Sequence, residues 1–390
     1  MRPVVVIVLH PPPPADAGPL WRAFVAAREV LADVHRRGFL AAGATDVRII
    51  AHAVPFAAAV RAALSDLPAD AGAIVLGSGA IPLATAADRR RFVAVAAGPA
   101  GTALANNRYS GDVVAVADAA RSLTGLPDLP GDNALPRWLA ERAGLRVIDL
   151  RRSWHLQADL DGVADLVLLA RHRSCPAALR RAIEDPRLPL GTLRAVIAAT
   201  EAVAGDRRAE LLVAGRLSAA GLAHLEGATA CRVRALVEER GLRASSPLAV
   251  GLPAGAIGLP AGAIGAADPR QDPLPPSRPP ASVLGALLDR DGPEGLASVV
   301  GPLADAAIVD SRVLLAHRLG ADERRWPTLE DRLASDLLLT NRVADPWLRA
   351  LTASAAGSPR PILLGGHSLV GPGLRLLFPR RVRPAGRRRP

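Results

Sequence analysis

The strongest constraint on this chain is the order in which short apolar runs and amphipathic stretches follow one another. Val4–Leu9 reads as a buried strand, residues 21–42 as a long helix stopped near Gly43, and residues 46–51 as a second strand. A helix over 56–67, a strand over 73–76, a helix over 86–97 and a strand within 112–117 continue the alternation, and a helix over 134–143 and a strand over 146–150 close it. Strands that are apolar on both faces need cover on both sides. Helices at these spacings supply it, so the expectation is an α/β fold with a mostly parallel sheet between two helical layers. Ligands of such sheets bind beyond the carboxyl ends of the strands.

The pattern restarts after the segment 159–171, with a strand over 210–214, further strands over 307–309 and 361–364, and helices over 329–338 and 347–355. A chain of 390 residues has room for two ordinary domains. The division expected is a first α/β domain over 1–172 and a second over 173–250 and 281–379. Between the two parts of the second lies a tandem heptapeptide, GLPAGAI at 251–257 and again at 258–264, followed by a Pro-rich run. Two copies cannot build a solenoid, and Gly and Pro at this density pack no core, so 251–280 reads as a loop or linker. The arginine-rich stretch 380–390 reads as a solvated tail.

The formal charge is +11, and every one of the 48 basic residues is arginine. Without lysine there is no Schiff base, no P-loop lysine and no kinase-type phosphate lysine, so any phosphate must be held by Arg, backbone N–H groups or a metal. Arginine to the exclusion of lysine, beside abundant Ala, Gly, Pro and Leu, fits the codon bias of a GC-rich genome. The charge is scattered and aromatics make up 3% of the chain, which argues against a specific nucleic-acid partner. Cys175 and Cys231 lack the spacing of a zinc site and fit a reducing compartment. The first apolar run is too short for a signal peptide and no charge-free segment reaches membrane-spanning length, so a cytoplasmic protein without a membrane partner is expected. Nothing in the sequence bears on oligomeric state.

Several segments carry candidate chemistry. The strand over 73–76 runs into Gly77, Ser78 and Gly79, where a ligand's phosphate or sugar can approach the backbone. The dinucleotide fingerprint does not fit, because Pro82 occupies its third small position and this is the third strand. A plain tight turn is the alternative. Asn106, Asn107 and Ser110 add neutral hydrogen-bonding groups, and Arg89, near the start of the following helix, is a candidate phosphate clamp. Asp159 and Asp161 point the same way if the chain there is extended, and paired carboxylates hold a hard cation such as Mg2+. A solvated acidic turn before the helix that starts near Val163 is the competing account. In the second half, residues 366–371 have phosphate-loop glycine spacing, but Pro372 stands where lysine is needed. His367-Ser368 resembles a nucleophile elbow, but no histidine follows Ser368. Asp310, Arg216, His317, His367, Asp331, Ser335 and Asp336 form either surface ion pairs or a polar site at the mouth of the second sheet.

Three segments together resemble the nucleotidyltransferase family that includes molybdenum-cofactor guanylyltransferases and 2-phospho-lactate guanylyltransferases. LGSGAIPLATAADRRRFV is similar to their GDxPLLTxxDL strand, turn and helix; DNALPRWLAERAGLRVIDL to their late helix and strand; and LQADLDGVADLVLL to their closing DIDTPEDL. The resemblance covers about residues 1–172. It implies a three-layer α/β domain that binds a nucleoside triphosphate and a phosphorylated acceptor, with Mg2+ favouring attack on the α-phosphate and release of pyrophosphate. Carried onto this chain, it implies nucleotide contacts at Gly77, Ser78 and Gly79 and metal contacts at Asp159 and Asp161. His10 and the prolines 11–14 replace the family's first glycine-rich loop, and Ala80 takes the slot of its metal-binding carboxylate, for which Asp112 is the candidate substitute. These departures make a non-catalytic nucleotide- or phosphometabolite-binding or assembly protein the competing expectation.

Overall fold

The structure is a computed structural model that describes residues 2–51, 55–65, 67–129, 132–239 and 279–380. The tandem heptapeptide, all but the last two residues of the expected linker, and 381–390 of the expected tail lie outside the described residues. The described residues form two compact units, one drawn from 2–16 and 25–159, the other from 17–24, 160–239 and 281–380.

In the first unit the elements run β1 (Val4–Leu9), α1 (Pro19–Ala41, whose start is counted with the second unit), β2 (Asp46–Ile50), α2 (Phe56–Leu64), β3 (Gly72–Gly77), α3 (Ala86–Ala96), β4 (Thr102–Ala105), β5 (Val113–Val116), helix Leu135–Glu141 and β6 (Arg146–Asp149). Six strands make one sheet in the order β2-β1-β3-β5-β4-β6. All neighbours are parallel except β5, which runs antiparallel to both β3 and β4. The three layers follow from period-two alternation. Val4, Val6, Val8, Ile74 and Leu76 pack on one face with Phe39 of α1 and Phe92 of α3. Ile7, Leu9, Ala73 and Val75 pack on the other with Val60 of α2 and with Leu135, Trp138 and Leu139.

Strand β4 went unread in the sequence. It has four residues, follows the turn-forming GPAG, and carries alanine at two of its positions, so it shows neither length nor β-branched enrichment. Its antiparallel partner β5 is reached by the hairpin 106–112, which brings that hairpin to the same edge of the sheet as the carboxyl ends of β1, β3 and β6.

The second unit holds a four-stranded, all-parallel sheet of β7 (Glu210–Gly215), β8 (Arg232–Val237), β9 (Ala306–Asp310) and β10 (Ile362–Gly365), in the order β10-β9-β7-β8. β7, β9 and the edge strand β10 are buried along almost their whole length, as strands covered by helices must be. β8 is the partly exposed edge strand; its alternating arginines hide it from a search for apolar runs. Strand order reverses between β7 and β9, so the crevice at their carboxyl ends is the switch point of this sheet. Among the described residues no helix is long and apolar enough to cross a membrane.

Candidate functional site

The turn after β3 is built by tight packing. Ser78 N–H donates to the Leu9 carbonyl at 2.9 Å and Ala80 N–H to the Gly77 carbonyl at 3.1 Å, so the turn folds over the end of β1. The Ser78 side chain is fully buried. Its Oγ lies 3.0 Å from His10 Nδ1 and accepts from Arg28 Nε at 3.2 Å. Arginine can only donate, so Ser78 Oγ accepts from Arg28, and its remaining proton and lone pair face the His10 ring nitrogen. Burial pushes the His10 pKa below its ordinary value and the Arg28 charge adds to this, while Glu29 opposes it. His10, Ser78 and Arg28 thus form a polar cluster at the carboxyl ends of β1 and β3. Arg28 was invisible to motif reasoning: only helical phase on α1 points it toward this turn.

Two carboxylate-bearing segments border the turn. Asp159 forms an isolated antiparallel bridge with Ala80, and Gly77 N–H approaches the Asp112 carbonyl at 3.4 Å. Asp161 belongs to the second unit, where its side chain is exposed and its N–H donates to Asp165 Oδ2 at 3.1 Å. Among the described residues no three His, Cys, Asp or Glu side chains gather as a metal cage. The residue after Ala80 adds a further feature. Ile81 has φ of 43°, a left-handed conformation that a β-branched residue adopts at a cost, and its side chain is completely buried.

The other expected contacts divide. Asn106 is buried and spends its amide on the chain: Nδ2 donates to Asp112 Oδ2 at 3.0 Å and to the Leu156 carbonyl at 2.9 Å, and Oδ1 accepts from the N–H groups of Asp112 and Val113. It braces the hairpin and holds the Asp112 carboxylate in place. Asn107 Oδ1 accepts from Tyr109 N–H, and Ser110 Oγ accepts from Asn133 Nδ2, so both shape the same loop. Arg89 does not face a ligand. Its guanidinium is buried, donates to the Ala84 carbonyl at 2.7 Å, and lies 6.0 Å from the Phe39 ring centroid, where a Cβ on Gly38 would collide with it. The phosphate clamp expected there is a core brace, because α1 closes over it.

The second unit contains a buried charge network that sequence spacing could not assemble. Arg216, just past β7, makes a two-pronged pair with Asp310 at the end of β9, with Nε to Oδ2 at 2.6 Å and Nη2 to Oδ1 at 3.0 Å. Gly215, at φ 127°, permits this approach, since a Cβ there would stand 2.3 Å from the Asp310 Cβ. Arg312 makes a second fork with Asp336 at 2.5 and 2.7 Å and also donates to Ser311 Oγ. Burial holds Asp165 well above the usual carboxylate range, reinforced by Asp161 and Asp336 and opposed by the Asp161 N–H and Arg312. Arg216 and Arg312 thus each face one forked carboxylate partner. His317 stands apart from it, with Nδ1 accepting from Ser282 N–H and Nε2 at 3.0 Å from Asp289.

A prediction follows from Asp165. Because its folded pKa lies above 3.8, the native chain keeps a proton that the unfolded chain gives up, so this group's contribution to stability is lost as pH rises above that value. Asp165→Asn keeps an acceptor for the Asp161 N–H without ever ionising. It is expected to be more stable than the parent at pH 7, with the gain vanishing below the ordinary carboxylate range. Urea unfolding of both proteins across pH checks this, and a less stable Asn variant at pH 7 contradicts it.

No family model matches the chain, and no curated protein matches it.

Proposed function

We propose that the first unit is nucleotidyltransferase-like and binds a nucleoside triphosphate, or another phosphorylated small molecule, at the carboxyl edge of β1 and β3. The observation that carries this is the convergence of Arg28 and His10 on Ser78 behind the Gly77–Gly79 turn. In a chain without lysine, a guanidinium fixed by a buried hydroxyl is the natural seat for phosphate, and small residues let the ligand approach the backbone. The strained Ile81 beside the turn supports the same reading, since such strain concentrates where geometry serves a ligand. The recess next to Gly77, walled by Phe56, Gly111, Asp112 and Leu135, is a water-sized gap, so base and ribose lie along the open edge.

The donor set suits Mg2+ in its usual manner. That ion takes one or two carboxylates and fills its remaining positions with water and phosphate oxygens, so the missing third carboxylate is no obstacle. Asp112, held by Asn106, and Asp159, held beside Ala80, are the proposed ligands. When bound, the ion would neutralise charge on the transferring phosphoryl group. Arg28 would orient the phosphates, and catalysis would rest on positioning and electrostatics. A cytoplasmic location is part of this reading, consistent with two buried, unpaired thiols.

The second reading, a binder that has lost the chemistry, is favoured by Ser78 and Asn106, whose polar atoms are committed to the protein itself. Thermal shift with nucleoside triphosphates, with and without Mg2+, separates the two, because ligand stabilisation follows occupancy. Transfer predicts metal-dependent pyrophosphate release that falls by about a hundredfold or more in Asp159→Asn and Asp112→Asn. Binding indifferent to Mg2+, with no pyrophosphate, establishes the non-catalytic reading. No stabilisation by any phosphorylated ligand removes both.

A further inference from the structure

A second cationic feature stands on the hairpin 106–112, and none of the contacts above uses it. Tyr109 is the chain's only tyrosine, and 45% of its surface is exposed. Two guanidinium groups lie over its ring, Arg151 at 5.2 Å and Arg137 at 5.8 Å from the centroid. Contacts of this kind hold the planar forks in fixed orientations and so lower the entropy lost when they grip an anion. Asp149, at the end of β6, accepts from the backbone N–H groups of Arg151 at 2.9 Å and Arg108 at 3.4 Å, which ties the hairpin to the segment after β6.

The local charge is not balanced. Arg151 pairs with Asp149 at 3.3 Å and Arg137 with Glu141 at 3.4 Å. Arg108 is half-buried and its guanidinium has no hydrogen bond or ion pair among the described residues; Arg152 is exposed. Beside the two paired arginines, Arg108 therefore brings a further positive charge with no carboxylate of its own among the described residues. A guanidinium that loses part of its hydration on a structured loop and gains no acid partner is stabilised by an incoming anion.

We propose that Arg137 and Arg151, which lie over Tyr109, together with Arg108 next to it on the hairpin, form a phosphate-binding subsite for a small molecule, separate from the His10–Ser78–Arg28 cluster. The planar forks match phosphate geometry in two-pronged fashion, and the tyrosine ring supplies a flat apolar surface beside it. A small ligand is favoured over a nucleic-acid strand because a single exposed aromatic offers no row of stacking platforms. The inference goes beyond the nucleotide reading and stands without it.

The test is calorimetric titration of the full chain with inorganic triphosphate at low salt. Saturable binding is expected, weakened about tenfold or more in Arg108→Gln/Arg151→Gln and several-fold in Tyr109→Ala, and retained in Tyr109→Phe, which keeps the ring. Arg108→Lys/Arg151→Lys keeps the charge and loses the fork, so it is expected to bind more weakly than the parent. Unchanged circular dichroism and thermal midpoints guard against misfolded variants. The proposal is overturned by the absence of saturable binding or by an equal loss in the exposed second-unit pair Arg207→Gln/Arg208→Gln. It is also overturned by tighter binding of single-stranded oligonucleotide than of triphosphate. Binding abolished by Arg28→Gln yet untouched by Arg108→Gln/Arg151→Gln assigns the anion to the Gly77–Gly79 edge and likewise sinks this subsite.

Discussion

Replacing His35 by leucine is expected to make the first unit resistant to mild acid. His35 lies on α1 with no exposed surface, and neither ring nitrogen meets a partner at hydrogen-bonding geometry. Burial, aided by the Arg89 charge and opposed by the Ala80 backbone, lowers its pKa from 6.5 to about 3. The unfolded chain therefore binds a proton between these values that the native chain refuses. Stability from this group is complete above pH 6.5 and is lost as pH falls toward 3. The full span corresponds to about 5 kcal/mol, roughly 1.4 kcal/mol per pH unit, a large share of a domain's total stability. Leucine has similar volume and nothing to protonate, so His35→Leu should flatten the pH dependence while changing stability little at pH 7. Hydrogen exchange of β1 and β3 amides localises the effect to this unit. Equal losses in parent and variant between pH 6.5 and pH 4 would show that other groups govern acid unfolding.

The second large effect is expected in the other unit. Asp336→Ala leaves Arg312 buried without its forked partner, and breaking such a pair from one side costs about 3–5 kcal/mol. Removing both charges at once, in Arg312→Met/Asp336→Leu, should recover most of this loss, because the penalty comes from the stranded charge more than from the lost bond. The difference between single and double variants, read as urea midpoints and as exchange of β9 and β10 amides, measures the coupling. A single variant that costs less than about 1 kcal/mol would mean that water or Asp165 takes over the cation.

The two predictions come from the parts of the molecule least legible in its sequence. Most strands declared themselves: Val4–Leu9, Gly72–Gly77 and Ala306–Asp310 are continuous apolar runs, and their alternation with helices announced an α/β fold with largely parallel sheets. The short β4 and the charged edge strand β8 did not, since each owes its conformation to neighbours rather than to its own residues. The Gly77–Gly79 turn was also readable, because glycines that end a strand mark a place where backbone must come close. Which side chains meet there was not. Arg28 reaches Ser78 across fifty positions, Arg216 reaches Asp310 across ninety-four, and Arg89, which looked like a ligand clamp, turned into the core beneath Phe39.

By itself, the sequence determined the periodicities, hence the elements, the layering and the positions of the tight turns, because these depend on residues within a few places of one another. It also ruled out every chemistry that needs lysine. Tertiary structure alone decided which arginines are braces and which face outward, and which carboxylates are paired or neutral. A guanidinium on a long flexible stem goes wherever distant packing leaves an acceptor, and the charge of a buried carboxyl is set by the solvent and neighbours that folding takes away or brings near.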